Sequence, residues 1–181
     1  MATIQSRRAS RGVSLIEVLM AVLVFSVGLI GLAGLLVVAT KSNQQAFTRT
    51  QLTFLASSMA DRMRANPYGL WSGSYDATYP VTGTMPKCDN TAACKPSDVA
   101  LRDQLLWSAQ LQTFLPGLGK TTIACDTSGV SFTPSADQFS KRPPYSGLCT
   151  MTVTWAERGY GTSDDRSDSS NLQSFTWVFE P

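Results

Sequence analysis

Histidine is missing altogether from the 181 residues. Without imidazole the chain has no ready general base near neutral pH, and the Ser-His-Asp and Cys-His constellations and the His-containing zinc sets are excluded. Cysteine is scarce: the four residues Cys88, Cys94, Cys125 and Cys149 include no CxxC pair, which speaks against a thiolate metal knuckle or a thioredoxin-type redox motif. No GxSxG elbow and no GxxxxGK[ST] phosphate loop occurs. Neither a metal site nor a cofactor is expected, and enzymatic chemistry is reduced to carboxylate pairs brought together in space. Charge is thin as well, at 15 % of residues with a formal balance of +2. Arg7, Arg8 and Arg11 all precede Gly12, with no acid among them, and without residues 1–12 the chain is marginally acidic. The positive balance is therefore no sign of nucleic-acid binding, and no specific nucleic-acid partner is expected. No internal repeat is present.

What is present begins with RGVSLIEVLMAVLVFSVGLIGLAGLLVVAT, residues 11–40. From Val18 to Ala39 there is no charge over 22 residues, roughly 33 Å as a helix and enough to cross a bilayer. The three arginines before it hold the N-terminus in the cytoplasm and send everything after Thr40 outward. A secretory signal peptide has a shorter apolar core, so retention as an anchor is the favoured reading, with cleavage near Gly31 to Gly34 as the competing one. Glu17 stands just inside the run. Snorkelling into the headgroups is one account of it. The other uses its spacing: a cut between Gly12 and Val13 places a new amine four residues before the carboxylate, within one helical turn, where the two can neutralise each other or a neighbour's counterpart. Gly28, Gly31 and Gly34 recur every third residue, either without special role or as a stretch that loosens or packs closely.

After Thr40 the chain turns polar with no Gly or Pro until Pro67, and Leu52, Leu55, Met59 and Met63 form one apolar stripe at helical spacing. One continuous helix from Val13 to Arg64 is expected, roughly 78 Å long, its first half apolar all round and its second half amphipathic, stopped by Asn66 and Pro67. Residues 67–98, rich in Gly, Pro, Ser, Thr and Tyr, read as an irregular loop with room for a short strand. Ser97 and Asp98 start a second helix whose apolar side is expected from Leu101, Leu105, Ala109 and Leu115, and Pro116, Gly117 and Gly119 end it. TTIACD and VSFTP are candidate strands around a turn at residues 127–129. CTMTVTWA alternates Cys149, Met151, Val153 and Trp155 with threonines, giving one buried and one hydroxyl-bearing face, and QSFTWVF repeats that period with Phe175, Trp177 and Phe179. Between them residues 157–171 read as a solvated loop, and Asp164 and Asp165 lack the ligand spacing of a calcium loop.

An even cysteine count beyond a membrane segment points to an oxidising compartment and two disulfides. Four cysteines allow three pairings; the favoured set is Cys88 with Cys94, across a short polar turn, and Cys125 with Cys149, tying neighbouring strands. Tyr68, Trp71, Tyr75 and Tyr79 read either as cover for a small core or as a binding surface for a receptor, a sugar or a DNA strand.

The stretch GVSLIEVLMA resembles the type IV prepilin signature, in which a short basic leader ends in Gly and Glu is the fifth mature residue; Gly12 and Glu17 match, whereas Val13 stands where that family usually has Phe. The resemblance implies cleavage after Gly12 and N-methylation of Val13 by a prepilin peptidase, and pairing of Glu17 with the terminal amine of an adjacent subunit. It also implies an α+β pilin fold, a long N-terminal helix on a small antiparallel sheet with disulfide-stapled loops. Further along, ADRMRANPYG, the Cys88 and Cys94 pair ahead of a Trp107-bearing helix, LPGLGK and MTVTWAE come in an order similar to PilV-like minor pilins, the type IV pilus modification class. The expected organisation is a cleaved leader over 1–12, a transmembrane assembly helix over 13–39, its amphipathic continuation over 40–66 and a periplasmic head over 67–181. The implied function is that of a non-enzymatic minor pilin that primes or modifies type IV pilus assembly and supports twitching motility, adhesion or DNA uptake. Its implied partners are the peptidase, other minor pilins, the major pilin and the inner membrane, with final placement in the extracellular pilus. A minor pseudopilin of type II secretion is the alternative, and a membrane-anchored binding module or enzyme the less favoured one.

Overall fold

The computed structural model describes residues 12–89, 93–115, 117–156 and 172–181. The expected leader up to Arg11, the stop at Pro116 and the acidic loop over 157–171 lie outside the described residues. The chain divides into two compact units, one ending at Gln44 and the other covering Gln45–Pro181.

Helix α1 runs Leu15–Ala65, matching the long uninterrupted stretch without proline. Its residues up to Gln44 are all exposed. Within the second unit it buries Leu52, Leu55, Ala56, Met59, Ala60 and Met63, the expected stripe plus two alanines that let neighbouring side chains come close. Pro67 does not open an irregular loop. It occupies the first turn of a short helix α2, Pro67–Trp71, where a missing N–H costs nothing, and Asn66 caps that helix by accepting from the Gly69 amide at 3.2 Å. The remaining segment holds β1, Ala77–Tyr79.

Helix α3, Pro96–Phe114, buries the expected face only in part: Leu115 at its end is inside as expected, and so are Ala100, Asp103, Gln104, Trp107, Ser108 and Leu111, whereas Ala109 is exposed and Leu101 and Leu105 are only partly covered. The polar members are tolerated because each finds a partner. Gln104 Nε2 donates to the Ser74 carbonyl at 3.0 Å, and Ser108 Oγ accepts from the Val81 amide at 2.9 Å while donating to the Gln104 carbonyl at 2.7 Å. Trp107 Nε1 donates to the Leu55 carbonyl at 2.9 Å, joining α3 to α1, and its ring meets Tyr79 edge-on with centroids 4.8 Å apart.

Strands β2 (Thr121–Asp126), β3 (Leu148–Ala156) and β4 (Leu172–Phe179) complete one antiparallel sheet in the order β1-β2-β3-β4. The alternation in β3 holds: Cys149, Met151, Val153 and Trp155 are buried. Opposite them in β4 stand Phe179, Trp177, Phe175 and Gln173, so both strands turn the same face to the core. Before β2, Gly117 adopts φ +70°, a conformation that favours glycine, and residues 117–119 lie beside β3 through Ala156 N to Gly117 O at 2.9 Å and Gly119 N to Thr154 O at 2.7 Å. VSFTP is not a strand. Both sides of β2 are already taken by β1 and β3, and Val130–Pro134 instead leads into a short 3-10 helix, Ala136–Lys141. The disulfides are Cys88–Cys94 and Cys125–Cys149, the second between residues that stand opposite each other in β2 and β3.

Candidate assembly site

The first unit is described by itself. Gly12, Val13 and Ser14 precede the helix, and the Ser14 carbonyl accepts from the amides of Glu17 at 3.0 Å and Val18 at 3.3 Å, which fixes the helix start at Leu15. The Gly12–Val13 peptide bond is therefore non-helical; Val13 is 71 % exposed, and nothing lies within 4 Å of where a Cβ on Gly12 would be. Glu17 sits in the first turn of α1, where the unpaired amide groups favour a negative charge. An amine at position 13 would lie within about one turn of it.

Beyond Glu17 the apolar side chains of the first unit are exposed among the described residues. Leu19, Val22, Leu23, Phe25, Ile30 and Leu36 are each more than half exposed. The helix is long and apolar enough to cross a membrane, and no residue of its apolar 18-residue window is buried among the described residues. Hydroxyls in it are satisfied locally: Ser26 Oγ donates to the Val22 carbonyl at 2.7 Å and Thr40 Oγ1 to that of Val37 at 2.9 Å, so lipid or another helix can cover them at little cost. Gly28, Gly31 and Gly34 have no neighbour within 4 Å of a built Cβ, so no contact inside the chain requires their smallness.

In the second unit the four aromatics separate. Tyr75 and Tyr79 are buried, so these two belong to the core and cannot meet a ligand. Tyr75 Oη donates to Asp103 Oδ2 at 2.9 Å and accepts from Asn66 Nδ2 at 3.2 Å, and Arg62 pairs with the other Asp103 oxygen at 3.2 Å. Burial pushes the Tyr75 phenol well above the ordinary tyrosine range, with the Asp103 charge adding to it; burial does the same for Tyr79. Trp71 is half-buried against Tyr145, centroids 4.9 Å apart, and donates Nε1 to the Pro143 carbonyl at 3.3 Å. Tyr68, 43 % exposed, lies 4.6 Å from Phe139. The Arg62, Asn66, Tyr75 and Asp103 network carries no local sequence signal, because its members come from α1, the α1–α2 junction, the turn before β1, and α3. Among the described residues no group of three or more Cys, Asp or Glu side chains is placed to hold a metal ion.

The family described as Prokaryotic N-terminal methylation motif matches residues 7–33, a span that contains the Gly12–Val13 bond, Glu17 and the first part of the exposed helix. No curated protein and no solved structure matches the chain. The motif supports a type IV pilin-like or pseudopilin-like, membrane-anchored protein, and the apolar N-terminal helix, the four-stranded antiparallel sheet and the two disulfides form an α+β fold of the type IV pilin kind.

Proposed function

We propose that this chain is a minor pilin of the PilV-like class, a structural and non-enzymatic subunit of a type IV pilus. A prepilin peptidase removes residues 1–12 and methylates Val13; the mature chain waits in the inner membrane with its head in the periplasm, then joins other minor pilins and the major pilin in a filament that serves motility, adhesion or DNA uptake. The observation that carries this reading is that the span matched by the methylation motif, residues 7–33, opens a helix with Glu17 in its first turn and no charge from Val18 to Ala39, exposed among the described residues. A charged group in the centre of a bilayer costs roughly 2.5–3.5 kcal/mol on insertion scales, and less near an interface, so Glu17 gains by meeting the new terminal ammonium of an adjoining subunit. In lipid that pairing selects a partner and a register at once.

The test has two parts. The mature N-terminal peptide is expected to begin at Val13 and to carry one added methyl group by mass spectrometry. Glu17→Ala is expected to leave cleavage largely intact and to deplete the protein from sheared filaments. Normal filament entry of Glu17→Ala, or filaments built from chains that retain residues 1–12, refutes the pairing model. The methylation motif supports a type II secretion pseudopilin equally, and loss of a secreted substrate rather than of pili on deletion would favour that reading.

A further inference from the structure

The sheet ends in two unlike edges. Strand β1 has three residues, follows Asp76, whose carboxylate accepts from the Cys125 amide at 2.9 Å, and runs straight into Pro80. A short, proline-stopped edge of this kind resists further pairing. Strand β4 has no such protection. It is eight residues long, roughly 27 Å, with β3 on one side and no charge, Pro or Gly from Leu172 to Phe179. In an antiparallel pair alternate residues turn their N–H and C=O away from the neighbour, and along β4 those groups meet no backbone partner among the described residues. The core is also unfinished here. Phe175 and Trp177 share a face with Val153 and Met151, which stand opposite them in β3, yet Val153 and Met151 are 0 % exposed whereas Phe175 and Trp177 are only partly covered. A further strand would lay its own inward side chains over that aromatic pair. On the outer face Thr78, Thr122, Thr152 and Thr176 form one row across all four strands, a row that hydroxyl-bearing side chains would continue.

Charge lies only at the two ends of this edge. At one end Arg49 is exposed and donates to Gln173 Oε1 at 3.4 Å, and among the described residues no carboxylate pairs with it. At the other stands exposed Glu180, whose carbonyl accepts from Arg64 at 3.2 Å while the Arg64 guanidinium pairs with Asp61. A segment laid antiparallel to β4 is therefore favoured with a base first and an acid last, the acid beside Arg49 and the base beside Glu180. A second copy of β4 has this alternation and these end charges. However, Arg49 at Gln173 and Arg64 at Glu180 set α1 alongside β4 in the same direction, so an antiparallel copy would turn its α1 end for end, contrary to two chains anchored in one membrane. We infer that the free edge of β4 docks an extended segment of another protein as a fifth, antiparallel strand, with alternating apolar and hydroxyl-bearing side chains and a carboxylate at the end beside Arg49. The site is independent of filament entry and is tested without it.

The probe is a blocked peptide of sequence KVTVTVTVE, added to the processed full chain in non-ionic detergent. Hydrogen exchange read by mass spectrometry is expected to slow over Leu172–Phe179 until the peptide saturates. Acrylamide quenching of the tryptophan fluorescence is expected to fall with it, and Trp177→Phe to abolish that change. Arg49→Glu alters an exposed side chain and is expected to leave the fold intact while weakening the peptide about fivefold, about 1 kcal/mol, the scale of a surface ion pair. The peptide with exchanged ends, EVTVTVTVK, is expected to bind Arg49→Glu more tightly than the unsubstituted chain, and KVTPPVTVE, which lacks two central amide donors, is expected not to bind. Binding of the proline peptide as tight as that of the first, or no slowing over Leu172–Phe179, overturns the inference. So does slowing that grows with the chain's own concentration in the absence of peptide, which would give the edge to a second copy. Indifference of both charged peptides to Arg49→Glu overturns the carboxylate assigned to the partner.

Discussion

Replacing Asp103 by Ala tests the polar contacts that hold the head together. The carboxylate is buried, with one oxygen taken by the Tyr75 hydroxyl at 2.9 Å and the other by Arg62 at 3.2 Å. Arg62 keeps 30 % of its side chain exposed and can turn to water, so its lost ion pair accounts for little. Tyr75 cannot. It is 0 % exposed, and once Asp103 is gone its hydroxyl still accepts from Asn66 but has no acceptor for its own proton. An unsatisfied buried donor costs about 1–3 kcal/mol, and the truncated side chain leaves a small cavity on the same site. A destabilisation of about 2 kcal/mol follows, or roughly 6–10 °C in the midpoint for a unit of this size. Thermal unfolding of the processed chain in non-ionic detergent, followed by tryptophan fluorescence, measures it, since Trp107 sits in this core and the membrane helix contains no tryptophan. Tyr75→Phe with Asp103→Ala should restore part of the loss, because the orphaned proton is removed with its hydroxyl. A shift for Asp103→Ala no larger than that of an exposed control such as Glu180→Ala would refute the reasoning.

The two disulfides should differ in weight. Chain-entropy arguments give about 3.5 kcal/mol for Cys125–Cys149, with a separation of 24 residues, and about 2 kcal/mol for Cys88–Cys94, with a separation of 6. Serine replacements of the first pair are therefore expected to lower the melting midpoint more than those of the second, and the reverse order would count against the estimate. Tyr75 and Tyr79 both have folded-state phenol pKa values raised by burial, so the stability this represents is fully present below the unfolded value of about 10 and is lost as pH rises through the folded values. Spectrophotometric titration should show their ionisation arriving late and together with loss of tertiary signal; reversible titration of all five tyrosines near pH 10 in a folded head would contradict it. Asn66→Ala removes the cap on Gly69 and the donors to Tyr75 Oη and the Pro96 carbonyl, and should cost about 1–2 kcal/mol in the same melting assay, with Asn66→Asp recovering the cap alone.

How much of this was readable from the chain depends on how far each device reaches along it. Helix α1 and strand β3 were legible because their signals are internal: a long run free of Gly and Pro from Leu35 to Asn66 in one, strict alternation in Leu148–Ala156 in the other. The buried face of α3 was not. Counting apolar residues picked Leu101, Leu105, Ala109 and Leu115, of which only Leu115 is buried, whereas the face that packs is set by Trp107, Leu111 and Ala100, and it includes Asp103, Gln104 and Ser108. Those three look solvent-bound in sequence; they are inside because Tyr75, Ser74 and Val81 supply partners from segments that only the fold brings near. Pro67 was legible only in part: α1 stops at Ala65 ahead of Asn66 and Pro67 as expected, but the same proline also opens the short helix α2, which the cap made by Asn66 allows. VSFTP has the composition of a strand and no vacant edge of β2 to join.

The N-terminal methylation motif and the apolar helix it opens were the most legible part of all, and there is a physical reason for the contrast. A core is recognised by the rest of the same chain, so its residues are scattered and can be exchanged for others of similar volume. A short motif and an apolar helix are written in consecutive residues, so a span as short as residues 7–33 matches a family on its own although no curated protein and no solved structure matches the chain.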